Sequence, residues 1–521
     1  MGREFEPPRG YLMMRELQKN IATLFLCIIF IPLSRNLKSH NLMKYKFTLF
    51  LLIAVRIAFT QSYLVTVNNG YGSGIFNVGD TVYVFAREES ENEVFSHWET
   101  SPVLQVVKDE GEWRFAFVMP QENVSITAFF ENLPNNFLQF EEIQGVNISK
   151  PVYSAIANNS KGTVFVFHGT SGSVNGWVGI NKDQNYSILK DLYNNGYSVI
   201  VAECEESTLG TDLNSDGKIR WYTFPIDTIN NIDYANMKAI IDTFENRGVL
   251  DRSKLFSLGM SAGGAFSTGF SVAFSTLASA TYCASGQMAV MEATQSAILF
   301  CMMPNDEVIG QEGNDDAIEN YNYLVDEGKC TDYFMNYPFP IYPEYFARVG
   351  LSLQQSQNVF NEILSNEFLD GNRFLTADAS ILQAHIQSNQ SLWSNFLSLS
   401  GLQKVAVGNL IGVAYGSHEF YSNHNKRTID FFDHLCETPN AITSQTDRNF
   451  SYTIFPNPAS DMVYLMSDKL DYSVVVTNIK GQIVFANKNV QQIDVSKLST
   501  GLYFIRVVSS DGAENFKLMV E

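Results

Sequence analysis

The sequence predicts a three-part molecule: a central α/β domain, with a mostly parallel sheet flanked by helices, and a small all-β domain at each end. Three observations predict it. Continuous apolar runs at 163–167, 198–202, 255–258, 278–283, 297–301 and 404–414 alternate with longer amphipathic stretches, the pattern of strands buried on both faces of a parallel sheet. Residues 62–132 and 450–521 instead break into short alternating runs separated by Gly, Asn, Asp and Pro. Between the third apolar run and a small-residue segment able to start a helix stands Gly259-Met260-Ser261-Ala262-Gly263.

With 521 residues there is room for about two to four domains. The formal charge of −20 disfavours nucleic acid and anionic membrane surfaces as partners. The first element is a leader. Met43-Lys44-Tyr45-Lys46 forms a basic start, residues 47–55 an apolar core interrupted shortly after by Arg56, and Ala58-Phe59-Thr60 a cleavage site. Residues 43–60 are thus expected to be a signal peptide, with residues 1–42 lying upstream of the true start. The apolar run at 21–32 is too short to span a bilayer. A membrane anchor made of both runs is the alternative.

Residues 62–132 carry Tyr63-Leu64-Val65-Thr66-Val67, Gly79-Asp80, Phe95-Ser96-His97-Trp98 and Met119-Pro120 in that order. The segment resembles the divergent internalin-type B repeat of bacterial surface proteins, in which Trp98 is a core aromatic.

The central segment, 137–437, holds the chemistry. A serine hydroxyl is a weak nucleophile unless a base activates it. A sharp strand-to-helix turn exposes it, and small flanking residues permit that turn. Asp306, in Pro304-Asn305-Asp306-Glu307, follows the run at 297–301; His418, in Tyr415-Gly416-Ser417-His418, follows the run at 404–414. Nucleophile, acid and histidine, each after a separate strand, is the chain order of an α/β-hydrolase. This segment therefore resembles that superfamily, the secreted esterases related to polyhydroxybutyrate depolymerases, feruloyl esterases and dienelactone hydrolases among them. The resemblance implies Ser261 as nucleophile, His418 as base and Asp306 as its orienting acid. It implies an oxyanion hole from the N–H groups of Ala262 and of Thr170, with Gly169 behind it, in His168-Gly169-Thr170-Ser171-Gly172. His168 itself reads as an orienting or packing residue.

A long stretch separates Asp306 from His418, so an insertion is expected at about 311–403, rich in aromatics at 333–346. It reads either as a lid beside the site or as a helical subdomain with its own core. Asp212, Asn214 and Asp216, followed by Gly217, match the first half of an EF-hand loop. Thr223 stands where the bidentate glutamate belongs, so a structural Ca2+ would need Glu205 or Glu206; an Asx-rich turn is the other reading. Of the six cysteines, Cys283 and Cys301 lie in apolar runs as buried thiols, and Cys330 and Cys436 are the disulfide candidates. No cofactor motif for catalysis is present: no zinc, phosphate-loop or dinucleotide signature.

After a linker at 438–449, residues 450–521 carry "FPNPASD", "GQIV" and "LSTGLYFIRV". These resemble the type IX secretion C-terminal sorting domain (type A), implying the type IX secretion machinery as partner and a secreted or cell-surface location. The expectation is an exported serine hydrolase acting on an extracellular ester substrate. A serine peptidase of the same fold, or an adhesin with a non-catalytic core, are the alternatives.

Overall fold

The computed structural model describes residues 61–104, 106–108, 112–435, 452–466, 472–478, 483–509 and 512–520. The leader, the linker and Cys436 lie outside the described residues. Among the described residues, no helix is long and apolar enough to cross a membrane.

The central domain is built on eight strands: β1 (Gln139–Gln144), β2 (Ser149–Ala155), β3 (Thr163–Phe167), β4 (Ser198–Ala202), β5 (Leu255–Met260), β6 (Ala278–Tyr282), β7 (Ala297–Met302) and β8 (Thr331–Met335). They lie in the order β1-β2-β4-β3-β5-β6-β7-β8, with β2 antiparallel to both its neighbours and β4 to β8 otherwise parallel. This is the α/β-hydrolase fold. Every residue of β3, β4, β6 and β7 is buried, which explains their unbroken apolar runs. Alternate side chains of β3 serve opposite layers. Val164 and Val166 pack with Ile188 and Leu192 of α1 (Asp183–Asn194). Phe165 and Phe167 pack with Met237 and Ile240 of α2 (Ile232–Asn246) and with Phe266 and Phe270 of α3 (Ala262–Phe274). The register Phe167↔Gly259 sets the loop after β3 beside the turn after β5.

The last expected strand needs correction. The run at 404–414 is helical, within α8 (Gly401–Tyr415), and the final strand is β8, inside the stretch read as insertion. α4 (Met288–Ala293), α5 (Gly310–Asp326) and β8 complete the central fold, so the inserted part begins after β8 and includes α6 (Leu353–Ser365), α7 (Ala379–Ser388) and α8. Helix α8 reads as a strand because it is apolar on nearly all sides: Ala406, Val407, Leu410, Ile411, Val413 and Ala414 are all buried. Its start carries a capping box, Ser400 with Gln403, and this was the available signal for helix. Helix α9 (Asn425–His434) closes the domain.

The inserted part shares its core with the N-terminal domain. That domain has two four-stranded sheets, one joining Ser62–Asn68 to Gly74–Asn77, Val124–Asn132 and Glu93–Ser101, the other centred on Thr81–Ala86 and Arg114–Val118. Tyr342 stacks on Phe85 (4.1 Å between centroids) and on Tyr71 (5.3 Å). Arg348 lies over the Trp113 ring, donates to the Ala86 carbonyl (3.1 Å) and pairs with Asp183 of α1 (2.9 Å). The C-terminal region forms two antiparallel sheets around Val463, Val474, Ile505 and Leu518.

Candidate active site

Ser261 occupies the junction of β5 and α3 at φ +57°, ψ −123°, a conformation that L-residues rarely adopt. Its N–H donates to the Tyr282 carbonyl (2.8 Å), and its carbonyl accepts from the Ala265 N–H (3.0 Å). The turn needs both flanking glycines. A Cβ at Gly259 would stand 2.1 Å from the Gly263 oxygen, and one at Gly263 would stand 2.3 Å from the Phe167 oxygen. Glycine is thus required by close backbone approach.

Asp306 follows β7 with its side chain fully buried. One carboxylate oxygen accepts from the Val308 and Ile309 N–H groups (2.9 and 3.0 Å). The other accepts from His418 Nδ1 (2.7 Å). Against a carboxylate, Nδ1 carries the proton, which leaves Nε2 as the acceptor nitrogen. Asn305 ties the two loops together: its N–H donates to the Gly416 carbonyl (3.0 Å) and its amide to the Tyr415 carbonyl (2.6 Å). Among the hydrogen bonds of the described residues, none joins Ser261 to His418.

The loop after β3 packs directly on the turn: a Cβ at Gly169 would stand 3.3 Å from Ser261 Cβ. Gly172 N–H closes this loop on the Gly169 carbonyl (3.0 Å), with Ser171 at φ +58°. His168 is fully engaged. Its Nδ1 donates to the Gly169 carbonyl (2.7 Å), its Nε2 accepts from the Cys204 N–H (3.2 Å), and burial lowers its pKa to about 4. Neither nitrogen is available as a base. No hydrogen bond of the described residues engages the N–H of Ala262 at the start of α3 or that of Thr170.

Beside His418, burial raises the Glu419 carboxyl to about 8, with Glu307 reinforcing and Lys182 opposing. Cys283 lies just past β6 at φ +51°, buried, with its thiol donating to the Glu419 carbonyl (3.4 Å). The sequence singled it out only as a core thiol. Its place beside the acid and the histidine follows from the adjacency of β6 and β7, which spacing alone does not reveal.

The 212–217 loop is held by its own side chains. Asp212 accepts from the N–H groups of Ser215 (2.7 Å) and Gly217 (2.8 Å), Asn214 from that of Asp216 (2.9 Å), and Asp216 pairs with Arg220 (2.7 Å). Glu206 accepts from Leu213, Arg220 and Tyr222, while Glu205 accepts from Lys150 and Asn236. Glu206 is engaged through both carboxylate oxygens, whereas both bonds to Glu205 fall on Oε2. Cys330 is disulfide-bonded, and Cys204, Cys283 and Cys301 are free thiols.

Residues 453–521 match the family model of the secretion system C-terminal sorting domain. The chain therefore carries the address for type IX secretion to the cell surface or the extracellular space. No curated protein matches the chain by sequence. Similar solved structures include a thermostable esterase (11% identity, covering 52% of this chain and 90% of that one, TM-score 0.28) and a dienelactone hydrolase from Anabaena variabilis (15%, 38% and 85%, 0.27). Another is an acylaminoacyl peptidase from Pyrococcus horikoshii (9%, 53% and 51%, 0.28).

Proposed function

We propose that this chain is an exported serine hydrolase that cleaves carboxylic esters through an acyl-enzyme on Ser261. The observation that carries the reading is the 2.7 Å His418–Asp306 bond, in a fold that also holds Ser261 on a strained strand-to-helix turn. In this reading His418 Nε2 takes the Ser261 proton as Oγ attacks the ester carbonyl carbon. Asp306 fixes the tautomer and stabilises the imidazolium. The oxyanion is met by the N–H groups of Ala262 and Thr170, with Gly169 admitting the carbonyl close to the loop. The imidazolium then protonates the leaving alcohol, and a water molecule repeats the cycle to release the acid.

The test is hydrolysis of a panel of p-nitrophenyl esters and matching amides, with fluorophosphonate labelling, by the wild type and Ser261→Ala. Ester hydrolysis and labelling lost together in the variant are expected. Amide turnover exceeding ester turnover would favour the peptidase. Neither activity nor labelling would favour the non-catalytic adhesin.

A structural Ca2+ is a separate proposal. Asp212, Asn214 and Asp216 would supply three oxygens where calcium takes about six to eight, so water would complete a weak site. A Tm lowered by chelator and restored by Ca2+ supports it; an unmoved Tm removes it.

A further inference from the structure

Beyond the triad lies a third group with ligand chemistry. Cys283, Asp306 and His418 each offer a ligand atom, and the three atoms lie within 4.8 Å of one another. Thiolate, imidazole and carboxylate are together the ligand set of Zn2+ and its softer congener Cd2+. Bonds of about 2.0–2.3 Å to three such atoms need modest shifts: the 2.7 Å His418–Asp306 pair opens to admit the ion while the Cys283 sulfur closes on it. We propose that this trio is an inhibitory site for a soft divalent cation, Zn2+ or Cd2+, which on binding disables the histidine. The proposal rests on the catalytic reading of His418 for its inhibitory effect, though not for binding.

The charges favour capture. A dication with one thiolate, one carboxylate and a neutral imidazole forms a complex of zero net charge, the form that a buried site tolerates best. Asp306 is fully buried and Cys283 nearly so, whereas the His418 side chain keeps 10% exposure and provides the entry. The protons balance. The Cys283 thiol releases its proton to solvent as the S–metal bond forms, because a coordinating thiol is deprotonated outright. The Nδ1 proton of His418 moves to Nε2 as Nδ1 turns to the ion. One proton leaves per ion bound, and the ring stays neutral. With Nε2 now a donor, it cannot accept the proton of Ser261. A water molecule takes the fourth position of a tetrahedral shell.

The experiment titrates Cd2+ into the full chain, Ser261→Ala and Cys283→Ala, following thiolate-to-cadmium charge-transfer absorption and bound metal. In parallel, Zn2+ inhibition of ester hydrolysis is measured in the wild type and Cys283→Ala, each referenced to its own metal-free rate. The absorption band is expected in the wild type and in Ser261→Ala and is lost in Cys283→Ala, whose Zn2+ inhibition constant rises at least about tenfold. Cys283→Ser, which keeps a donor to the Glu419 carbonyl, replaces the alanine variant if that does not fold. A band that survives loss of Cys283, or no band in either folded parent, overturns the proposal. A band in a wild type that hydrolyses no ester sinks the catalytic reading and leaves the metal site standing.

Discussion

Ser261 is strained, His418 is oriented and Asp306 is buried, and each condition makes a separable prediction. Ser261→Ala relieves the hydroxyl but not the backbone, so the fold and its Tm stay close to wild type while kcat falls roughly 10^4- to 10^6-fold. Asp306→Asn places an amide donor against Nδ1, forces the wrong tautomer and lowers kcat about 10^4-fold, with KM nearly unchanged. His168 makes a pH prediction. Burial holds its folded pKa at about 4, against the usual 6.5. Between these values the unfolded chain binds a proton that the folded chain refuses. Its contribution to stability is therefore complete above pH 6.5 and is lost on acidification towards 4, at ~1.4 kcal/mol per pH unit. His168→Gln keeps an acceptor for the Cys204 N–H and removes the titration. The acid limb of its Tm–pH profile should be flatter than that of the wild type; an identical slope would assign the acid lability elsewhere. Ser261 and Asp306 were legible in sequence because each sits in a local motif after a buried strand; His418 was singled out after a run that reads as a strand and is the helix α8. Cys283 was not legible, because its significance depends on a neighbour in space.

At the scale of elements, the turn after β5 is the part least able to vary. Gly263→Ala drives a methyl into the carbonyls of Phe167 and His168, which as backbone cannot step aside. A loss of about 2–4 kcal/mol is expected, with β3 and α3 forced apart and the reaction lost with them. Gly408, inside α8, is the counter-case: an added Cβ meets nothing within 4 Å. Gly408→Ala should stabilise by ~0.5–1 kcal/mol through helix propensity alone. Denaturant melts of the two variants with opposite signs would support both placements. Strand legibility follows the same physics. The runs that became β3 to β7 are short, bounded by turns and buried on both faces, so their pattern names them. Helix α8 shares the burial, and its length and its cap were the only distinguishing marks. The edge strand β1 and its neighbour β2 escaped notice because Gln139–Gln144 is mostly exposed and Ser149–Ala155 mixes lysine, proline and serine.

For the whole molecule, the N-terminal domain resembles in sequence a separate repeat of bacterial surface proteins, yet in the structure it is bound into the central fold by buried charge. Lys190 of α1 pairs with Glu89 and donates to the carbonyls of Ser90 and Glu93 (3.2 and 2.9 Å). Arg114 donates to the Tyr421 hydroxyl, and Trp113 Nε1 to Ser422 Oγ (3.2 Å), both a few residues from His418. Such contacts leave no trace in composition, because each partner looks like an ordinary surface charge in its own segment. Removing one member of a buried pair strands the other and costs about 3–5 kcal/mol. If the domain is integral, Glu89→Ala should lower the midpoint of thermal inactivation of ester hydrolysis together with the calorimetric transition of the N-terminal domain, because the insertion core and the His418 loop lose their support at the same time. A variant that melts the N-terminal domain early while hydrolysis survives to the wild-type temperature would show a tethered module instead. The shared core of Phe85, Trp113, Phe339 and Tyr342 favours the first outcome, since neither side can bury those rings alone.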